Sequence, residues 1–210
     1  MEKIPCSVCI LTRNSARTLE RALASVQHFD EILLVDGGSI DETLEIASRF
    51  GARVISQDPI FQNEKGGIRN FGGVRNQYIA AAHHDWIFAL DSDECPTPEL
   101  VEEIRSFVNA GTIGAFWIPR LYERNGRAIT CTAGPVSKQM RFFHRAAVIG
   151  YIKEVHERIV PKPGAFVGTL KEAMRIPLEM DTAAIRQKWR RYIHLEMQRR
   201  RSISLRKLIT

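Results

Sequence analysis

Cysteine is scarce in this chain, with four among 210 residues. Small domains that depend on disulfides are much richer in cysteine, so a disulfide framework is excluded. Cys6 and Cys9 have the C-x-x-C spacing of some zinc and redox sites. They fall in a predicted strand, however, where residues three apart point to opposite faces, so the two sulfurs are not expected to converge. Cys95 and Cys131 fit no pairing pattern.

Long hydrophobic runs are also missing. No apolar run approaches the roughly 18 residues that a membrane-spanning helix needs, and residues 1–5 lack the apolar stretch of a signal peptide. A cytoplasmic location is therefore expected. The composition is ordinary for a globular protein, at 44% hydrophobic and 26% charged residues, and the length fits one large domain or one domain with an appendage.

The glycine fingerprint of dinucleotide-binding domains is the third absence. Apolar strands are predicted at residues 7–11, 31–35 and 53–55, separated by amphipathic helices, the first of them capped by Ser15. This alternation predicts parallel strands in a Rossmann-like sheet. The first strand is followed by Thr-Arg-Asn-Ser at residues 12–15 rather than by G-x-G-x-x-G. A dehydrogenase is therefore disfavoured, whereas another nucleotide ligand remains open.

The stretch at residues 86–94 combines an apolar run with three carboxylates. Trp-Ile-Phe-Ala-Leu has no polar alternation, which is typical of a central strand buried on both faces. Asp91, Asp93 and Glu94 follow at the end of the strand, where open α/β sheets bind ligands. A turn between Asp91 and Asp93 would aim both carboxylates at one Mg²⁺ or Mn²⁺ ion. The alternative is a polar turn after a core strand, with Thr97 capping the next helix.

Local signals predict the remaining elements. Ser39 and Glu42 have capping-box spacing for a second helix with Ile40 on its apolar face, and Gly51 is expected to end it. Residues 57–73 form a glycine-rich loop that is either functional or a plain surface excursion. Further helices are predicted at 74–82 and 97–108, and further strands at 114–120, 139–143 and 148–151.

The positive charge of the chain is concentrated near its end. Residues 182–210 hold nine Lys or Arg and one acid, which gives this segment a net charge of +8. Since the whole chain has a net charge of +6, the remaining residues carry −2. A basic amphipathic helix is predicted from Asp181 onward. Such a helix fits an anionic membrane surface, and a packed or partner-bound helix is the open alternative. RNA binding is disfavoured because only Trp189 and Tyr192 could stack on bases.

Four short segments occur in an order that resembles one enzyme family. They are I-L-T-R-N at 10–14, V-D-G-G-S-I-D-E-T at 35–43, V-R-N-Q at 74–77 and L-D-S-D-E at 90–94. This order is similar to that of family-2 glycosyltransferases, which have the GT-A fold. The later M-R-F-F-H and V-H-E-R segments are similar to those of bacterial lipopolysaccharide-core glucosyltransferases. The resemblance covers roughly residues 5–160, and it departs from the family at Gly37, where many relatives carry a second acid.

The resemblance implies a nucleotide-sugar donor, most simply a UDP-sugar, and it assigns residues to the donor. Thr12 and Asn14 would line the base pocket, and Asp36 would accept a hydrogen bond from the base. Arg75 would contact the base or the diphosphate, because a guanidinium matches phosphate oxygens. Asp91 would also touch the ribose. The open alternatives are a turn acid for Asp36 and an exposed helix residue for Arg75.

The resemblance also implies a metal and a base. Asp91 and Asp93 would hold Mg²⁺ or Mn²⁺ across the diphosphate, with Asp93 as the usual direct ligand, and His156 would complete this site or contact the donor phosphate. Glu94 is expected to orient the turn. Glu157 would act as general base in an inverting reaction. Asp41 and Glu154 are the competing candidates for the base.

The sequence thus predicts an α/β protein with a GT-A mixed sheet flanked by helices and a C-terminal basic amphipathic helix. Residues 1–180 would form the glycosyltransferase domain and residues 181–210 the appendage. The expected activity is that of a hexosyltransferase acting on a glycan or lipid-linked acceptor, as in lipopolysaccharide biosynthesis, without nucleic acid as a partner. The alternatives are a nucleotidyltransferase on a similar sheet and a non-catalytic nucleotide-sugar-binding relative.

Overall fold

The structure is a computed structural model that describes residues 2–62, 67–124, 127–129, 137–154 and 157–177, together with Arg190. The chain divides into two units at Pro177, and the elements named below belong to the first. The predicted C-terminal helix apart from Arg190, together with His156 and Cys131, lies outside the described residues. Among the helices that are described, none is long and apolar enough to span a membrane.

Strands and helices alternate in the first half of the chain, and strands dominate the second half. The helices are α1 (Ala16–Ser25), α2 (Thr43–Arg49), α3 (Phe71–Ala81) and α4 (Pro98–Ala110), with short 3₁₀ helices at Pro59–Phe61 and Arg145–Ala147. The strands are β1 (Ile4–Thr12), β2 (Phe29–Asp36), β3 (Arg53–Ser56), β4 (Trp86–Asp91), β5 (Cys95–Pro96), β6 (Gly114–Arg124), β7 (Arg127–Ala128), β8 (Lys138–His144), β9 (Val148–Ile152), β10 (Arg158–Pro161), β11 (Phe166–Thr169) and β12 (Met174–Pro177).

The main sheet is mixed and runs in the order β3-β2-β1-β4-β8-β6-β12-β5. The first four of these strands are parallel, as the alternation of strands and helices predicts. Strand β8 is antiparallel to both of its neighbours, β4 and β6. Strands β9 and β10 form a separate antiparallel hairpin. The parallel half brings the carboxyl ends of β1, β2 and β4 to one edge of the sheet.

Each face of the sheet packs against its own layer. Helices α1, α2 and α4 cover one face, and α3 with the β9–β10 hairpin covers the other. Strand β4 is buried on both faces, with Phe88 in one core and Ile87 in the other, which confirms the prediction of a central strand. Cys6 and Cys9 are free thiols on opposite faces, as predicted for residues three apart on a strand.

The predicted capping box at Ser39 and Glu42 is wrong. Helix α2 begins one residue after Glu42, whose side chain makes no capping bond. The Ser39 hydroxyl instead donates to Asp36 Oδ1 at 2.6 Å, which holds the preceding turn and leaves Ile40 93% exposed. Asp41 supplies the local cap, since its Oδ1 accepts from Thr43 N at 3.1 Å.

The end of α2 and the start of α4 match their local signals more closely, whereas Ser15 stands at the N-cap of α1 without a side-chain capping bond. Gly51 follows α2 with a φ of +64°, the left-handed conformation in which glycine avoids a Cβ clash. The Thr97 hydroxyl accepts from Leu100 N at 3.1 Å, as predicted for the cap of α4. Helix α3 begins at Phe71, earlier than predicted, because Asn70 Oδ1 accepts from Gly73 N at 2.7 Å. The predicted loop is therefore shorter than its glycine content suggests.

Candidate active site

The predicted donor-binding residues come from three strand ends that lie side by side. Thr12 is paired with Asp36 between β1 and β2, and Leu11 is paired with Asp91 between β1 and β4. Parallel pairing therefore places these polar side chains at one edge of the sheet. This edge is the ligand-binding side of open α/β sheets.

The turns after β1 and β2 are tied together by hydrogen bonds. Asn14 lies in the left-handed region with a φ of +51°, and its Oδ1 accepts from Ile40 N at 2.9 Å. The Asn14 N–H donates to Ser39 Oγ, also at 2.9 Å, and the Gly37 N–H donates to the Thr12 carbonyl at 2.9 Å. The two turns therefore form one surface, and Asn14 is the side chain that joins them.

Asp36 is buried, and both of its carboxylate oxygens accept hydrogen bonds from these turns. Its Oδ1 accepts from Ser39 Oγ at 2.6 Å and from Thr12 Oγ1 at 3.2 Å. Its Oδ2 accepts from the N–H groups of Gly38 and Ser39, both at 2.9 Å. Four hydrogen bonds use about all the sites that two carboxylate oxygens offer. The structure gives Asp36 the role of a turn acid, and its contact with a nucleotide base stays a prediction.

Asp91, at the end of β4, is held by two arginines. Its Oδ1 accepts from Arg75 Nη2 at 2.9 Å and from Arg141 Nη1 at 3.2 Å, and its Oδ2 accepts from Arg141 Nη2 at 2.6 Å. Both arginine side chains are buried, whereas the Asp91 side chain is 34% exposed. Burial raises the pKa of Asp91, but the positive charges of Arg141 and Arg75 outweigh it and hold the pKa well below its usual range.

Arg75 links Asp91 to the predicted base. Its Nε donates to Glu157 Oε1 at 2.8 Å, and its Nη1 donates to Tyr78 Oη at 3.3 Å. The guanidinium also lies 5.6 Å from the ring centroid of Tyr151. Arg75 is therefore a buried bridge rather than an exposed helix residue, and Glu157 stands one guanidinium away from Asp91.

The side chain of Glu94 stabilises the turn after β4. Its Oε2 accepts from Asp91 N at 3.2 Å, and its Oε1 accepts from Arg120 Nη2 at 2.8 Å. Burial raises the pKa of Glu94, and the neighbouring charge of Asp91 adds to the rise. These contacts confirm that Glu94 orients the turn. The site is thus one chain of alternating charges: Glu157, Arg75, Asp91, Arg141, Glu94 and Arg120.

The metal prediction depends mainly on Asp93, whose side chain is exposed at the same turn. Within the described residues, no three His, Cys, Asp or Glu side chains form a cluster that could hold a metal ion. Mg²⁺ and related ions are commonly held by one or two carboxylates together with substrate phosphates. The residues therefore fit a cation shared between Asp93 and a bound diphosphate. Asp91 is poorly placed to join this cation, because it already accepts three hydrogen bonds from two positively charged side chains.

The competing bases are placed less favourably. Asp41 Oδ2 accepts from Ala16 N at 3.1 Å, and its Oδ1 accepts from Thr43 Oγ1 at 2.5 Å. The hydrogen bond from Thr43 is the main reason why the pKa of Asp41 is lowered. Asp41 is therefore an N-terminal cap that binds a proton poorly. Glu154 is exposed, and its carbonyl accepts from Phe71 N at 2.8 Å.

Two residues of the site were missed by the sequence analysis. Arg141 has a detectable signal, because it interrupts the apolar residues Met140, Phe142 and Phe143 of β8, and a charge buried among apolar side chains needs a partner. Asn76 follows Arg75 on α3, and its side chain bonds both main-chain groups of Tyr151. Asn76 lies in the V-R-N-Q segment of the family resemblance, but nothing local assigns a role to its side chain.

Sequence comparisons place these motifs among known proteins. A family model described as glycosyl transferase family 2 matches residues 7–152. A TPR repeat-containing protein of Synechococcus elongatus is 34% identical over 154 residues, which are 73% of this chain and 35% of that protein. An uncharacterized glycosyltransferase of Rickettsia felis is 35% identical over 105 residues, 50% of this chain and 33% of that protein. The chain spans about a third of the length of these two relatives.

The crystal structure of residues 1–349 of S. aureus TarS in complex with UDP-GlcNAc superposes with a TM-score of 0.55 at 17% identity. The match covers 86% of this chain and 60% of that one. This likeness and the family match confirm the predicted GT-A sheet.

Proposed function

Since the chain belongs to glycosyl transferase family 2, we propose that it transfers a sugar from a UDP-sugar to a glycan or lipid-linked acceptor. The observation that carries the proposal is the bridge from Asp91 through Arg75 to Glu157. The buried guanidinium of Arg75 joins the Asp91 carboxylate, at the ligand-binding edge, to the carboxylate of Glu157, which lies 82 positions after Arg75 in the sequence. The TarS complex with UDP-GlcNAc supports the choice of donor, because it is an example of this fold with a UDP-sugar bound.

The arginines would bind and stabilise the diphosphate. Breaking the bond between the anomeric carbon and the diphosphate oxygen leaves negative charge on the leaving group. Arg75 and Arg141 are buried beside Asp91, and hydrogen bonds from fixed donors to developing charge are worth more in a low-dielectric site. A Mg²⁺ or Mn²⁺ ion at Asp93 would add Lewis-acid stabilisation at the same oxygens.

Glu157 would act as the base of an inverting displacement. Arg75 fixes Oε1, and no described residue donates a hydrogen bond to Oε2. Oε2 would take the proton of the acceptor hydroxyl while that oxygen bonds the anomeric carbon and the bond to the diphosphate breaks. The side chain is 19% exposed, so an acceptor at the surface can reach it.

A thermal-shift screen of nucleotide sugars with and without Mn²⁺ tests this proposal. We expect stabilisation by one UDP-sugar, and we expect it to require the metal. Asp93→Asn should bind the donor weakly whether or not the metal is present. A chain that no nucleotide sugar stabilises would contradict the proposal. UDP release in the presence of candidate acceptors separates a transferase from a non-catalytic binder, and pyrophosphate release would indicate a nucleotidyltransferase.

The basic C-terminal segment suggests where the acceptor is found. Residues 182–210 carry nine Lys or Arg, and polybasic segments are attracted to anionic lipid. We propose that this segment brings the enzyme to a membrane that holds a lipid-linked acceptor, as in lipopolysaccharide assembly. Flotation with anionic and neutral liposomes, before and after removal of residues 181–210, tests the idea. Equal flotation of both forms would contradict it.

A further inference from the structure

Both oxygens of Asp91 are occupied in this structure. Arg141 approaches as a fork, with Nη1 3.2 Å from Oδ1 and Nη2 2.6 Å from Oδ2, and Arg75 Nη2 adds a bond of 2.9 Å to Oδ1. Paired guanidinium–carboxylate bonds are among the strongest that proteins make. A divalent cation on either oxygen would face two positive charges at close range. Three of the roughly four acceptor sites of Asp91 are thus used, and the two positive charges disfavour a cation at the remaining one while both arginines stay in place.

Residues other than Asp91 also hold the two arginines. Arg141 Nε donates to Gln139 Oε1 at 2.9 Å, and its Nη2 lies 4.0 Å from Glu94 Oε1. Arg75 is bound to Glu157 and to Tyr78. Both side chains are buried, and a buried charge that loses its partner is strongly unfavourable. The arginines can release Asp91 only if another anion takes its place.

A nucleoside diphosphate supplies that anion, because guanidinium matches phosphate oxygens as well as it matches carboxylate. We propose that Arg75 and Arg141 form a clamp that keeps divalent cations away from Asp91 until a nucleoside diphosphate is bound. The diphosphate takes over the guanidinium N–H groups, and the freed carboxylate joins Asp93 at the cation. This proposal rests on the function proposed above and concerns the regulation of the same site.

The clamp makes the binding of the two ligands cooperative. Each ligand removes an obstacle to the other, so the diphosphate raises cation affinity and the cation raises diphosphate affinity by the same factor. It also predicts that the protein without nucleotide binds Mn²⁺ weakly, through Asp93 alone. The enzyme would then avoid holding a cation in a site that has no donor.

Titration of Mn²⁺ alone, followed by electron paramagnetic resonance of the free ion, tests the clamp without any activity. Arg141→Gln removes the fork from Asp91, so we expect Mn²⁺ affinity without nucleotide to rise about tenfold, within the usual range of coupling between sites. Arg120→Gln is the matched control. It removes the same charge from the same chain of ion pairs, but Arg120 bonds Glu94 and not Asp91. We therefore expect Mn²⁺ affinity without nucleotide to change by less than about threefold in Arg120→Gln.

The outcomes separate this proposal from the proposed function. Unchanged or weaker Mn²⁺ binding in Arg141→Gln, or an equal rise in Arg120→Gln, overturns the clamp. If UDP still binds the wild-type protein together with Mn²⁺, the proposed function survives that result, whereas absence of UDP binding overturns both. Should Arg141→Gln fail to fold, Arg141→Lys keeps the charge but cannot cover both oxygens. In that case Mn²⁺ affinity without nucleotide should rise in Arg141→Lys, by less than the roughly tenfold change expected for Arg141→Gln. No rise in Arg141→Lys would also overturn the clamp.

Discussion

Asn76 bonds the main chain of Tyr151 from both sides, with Oδ1 accepting from N at 2.7 Å and Nδ2 donating to O at 2.9 Å. Asn76 follows Arg75 on α3. Tyr151 lies on β9, which pairs with β10, and β10 begins directly after Glu157. The same turn of helix thus holds the hairpin and carries the arginine that binds Glu157. Gly150 allows this approach, since a Cβ there would lie 2.9 Å from Asn76 Oδ1.

We expect Asn76→Ala to lower the free energy of unfolding by about 1–3 kcal/mol, because two main-chain groups lose their partner. Sugar transfer should fall further than donor binding, since the position of Glu157 depends on the hairpin. Urea unfolding and UDP release measure the two effects. Gln77→Ala is the control, because Gln77 also bonds two main-chain groups, Ser56 O and Asp58 N, and neither belongs to the β9–β10 hairpin. Equal loss of transfer in both variants would contradict this role.

The paired glycines at the start of α3 should respond differently to alanine. A Cβ at Gly72 would lie 2.4 Å from the Lys153 carbonyl, whereas a Cβ at Gly73 would lie 2.4 Å from the Phe61 ring. Backbone cannot yield as a side chain can, so Gly72→Ala should cost about 1–3 kcal/mol of unfolding free energy and Gly73→Ala less. Thermal unfolding of both variants checks the order. The reverse order would show that the hairpin turn moves freely against α3.

Glu31 should make the stability depend on pH. Burial raises its pKa, but hydrogen bonds from Ser7, His83 N and Arg53 outweigh that effect and lower it below the ordinary value. A lowered pKa contributes stability above the unfolded value of about 4, and this contribution is lost as the pH falls through the folded value. Glu31→Gln should therefore be less stable than wild type at pH 7, with a gap that closes in acid. A gap that is constant from pH 7 to about 3 would contradict this account.

Glu157→Gln should abolish most transfer while leaving donor binding intact. The amide oxygen can still accept from Arg75 Nε, but it cannot take a proton from the acceptor, and a general base contributes about 10²–10⁴-fold to rate. UDP release measures transfer, and calorimetry measures donor affinity. Glu154→Gln, an exposed neighbour whose structural contact is made by its carbonyl, should retain activity. Full transfer by Glu157→Gln would move the base elsewhere.

Local sequence patterns predicted the parts of the fold whose causes are local. Strand β4 was predictable because five apolar residues leave it no exposed face, and α4 because Thr97 and Pro98 are a standard start. The capping box at Ser39 failed because its hydroxyl bonds Asp36 instead of the helix. A pattern of residue types cannot decide between two partners that are both within reach.

The candidate site depends on pairings far apart in the chain. Arg141 meets Asp91 across 50 positions, and Arg75 meets Glu157 across 82. Only the fold creates these pairs, so Arg141 was not predicted, and Glu157 was proposed through family resemblance rather than through periodicity. The strand-end acids were predictable because parallel strands end at one edge of the sheet.

Calorimetric titration of UDP into wild type and Asp93→Asn, each with and without Mn²⁺, shows whether Asp93 couples the cation to the nucleotide. We expect Mn²⁺ to strengthen UDP binding by at least about tenfold in wild type and to have little effect in Asp93→Asn. Equal UDP affinity in both proteins, or binding that ignores the metal, would contradict a site in which Asp93 holds the cation on the diphosphate.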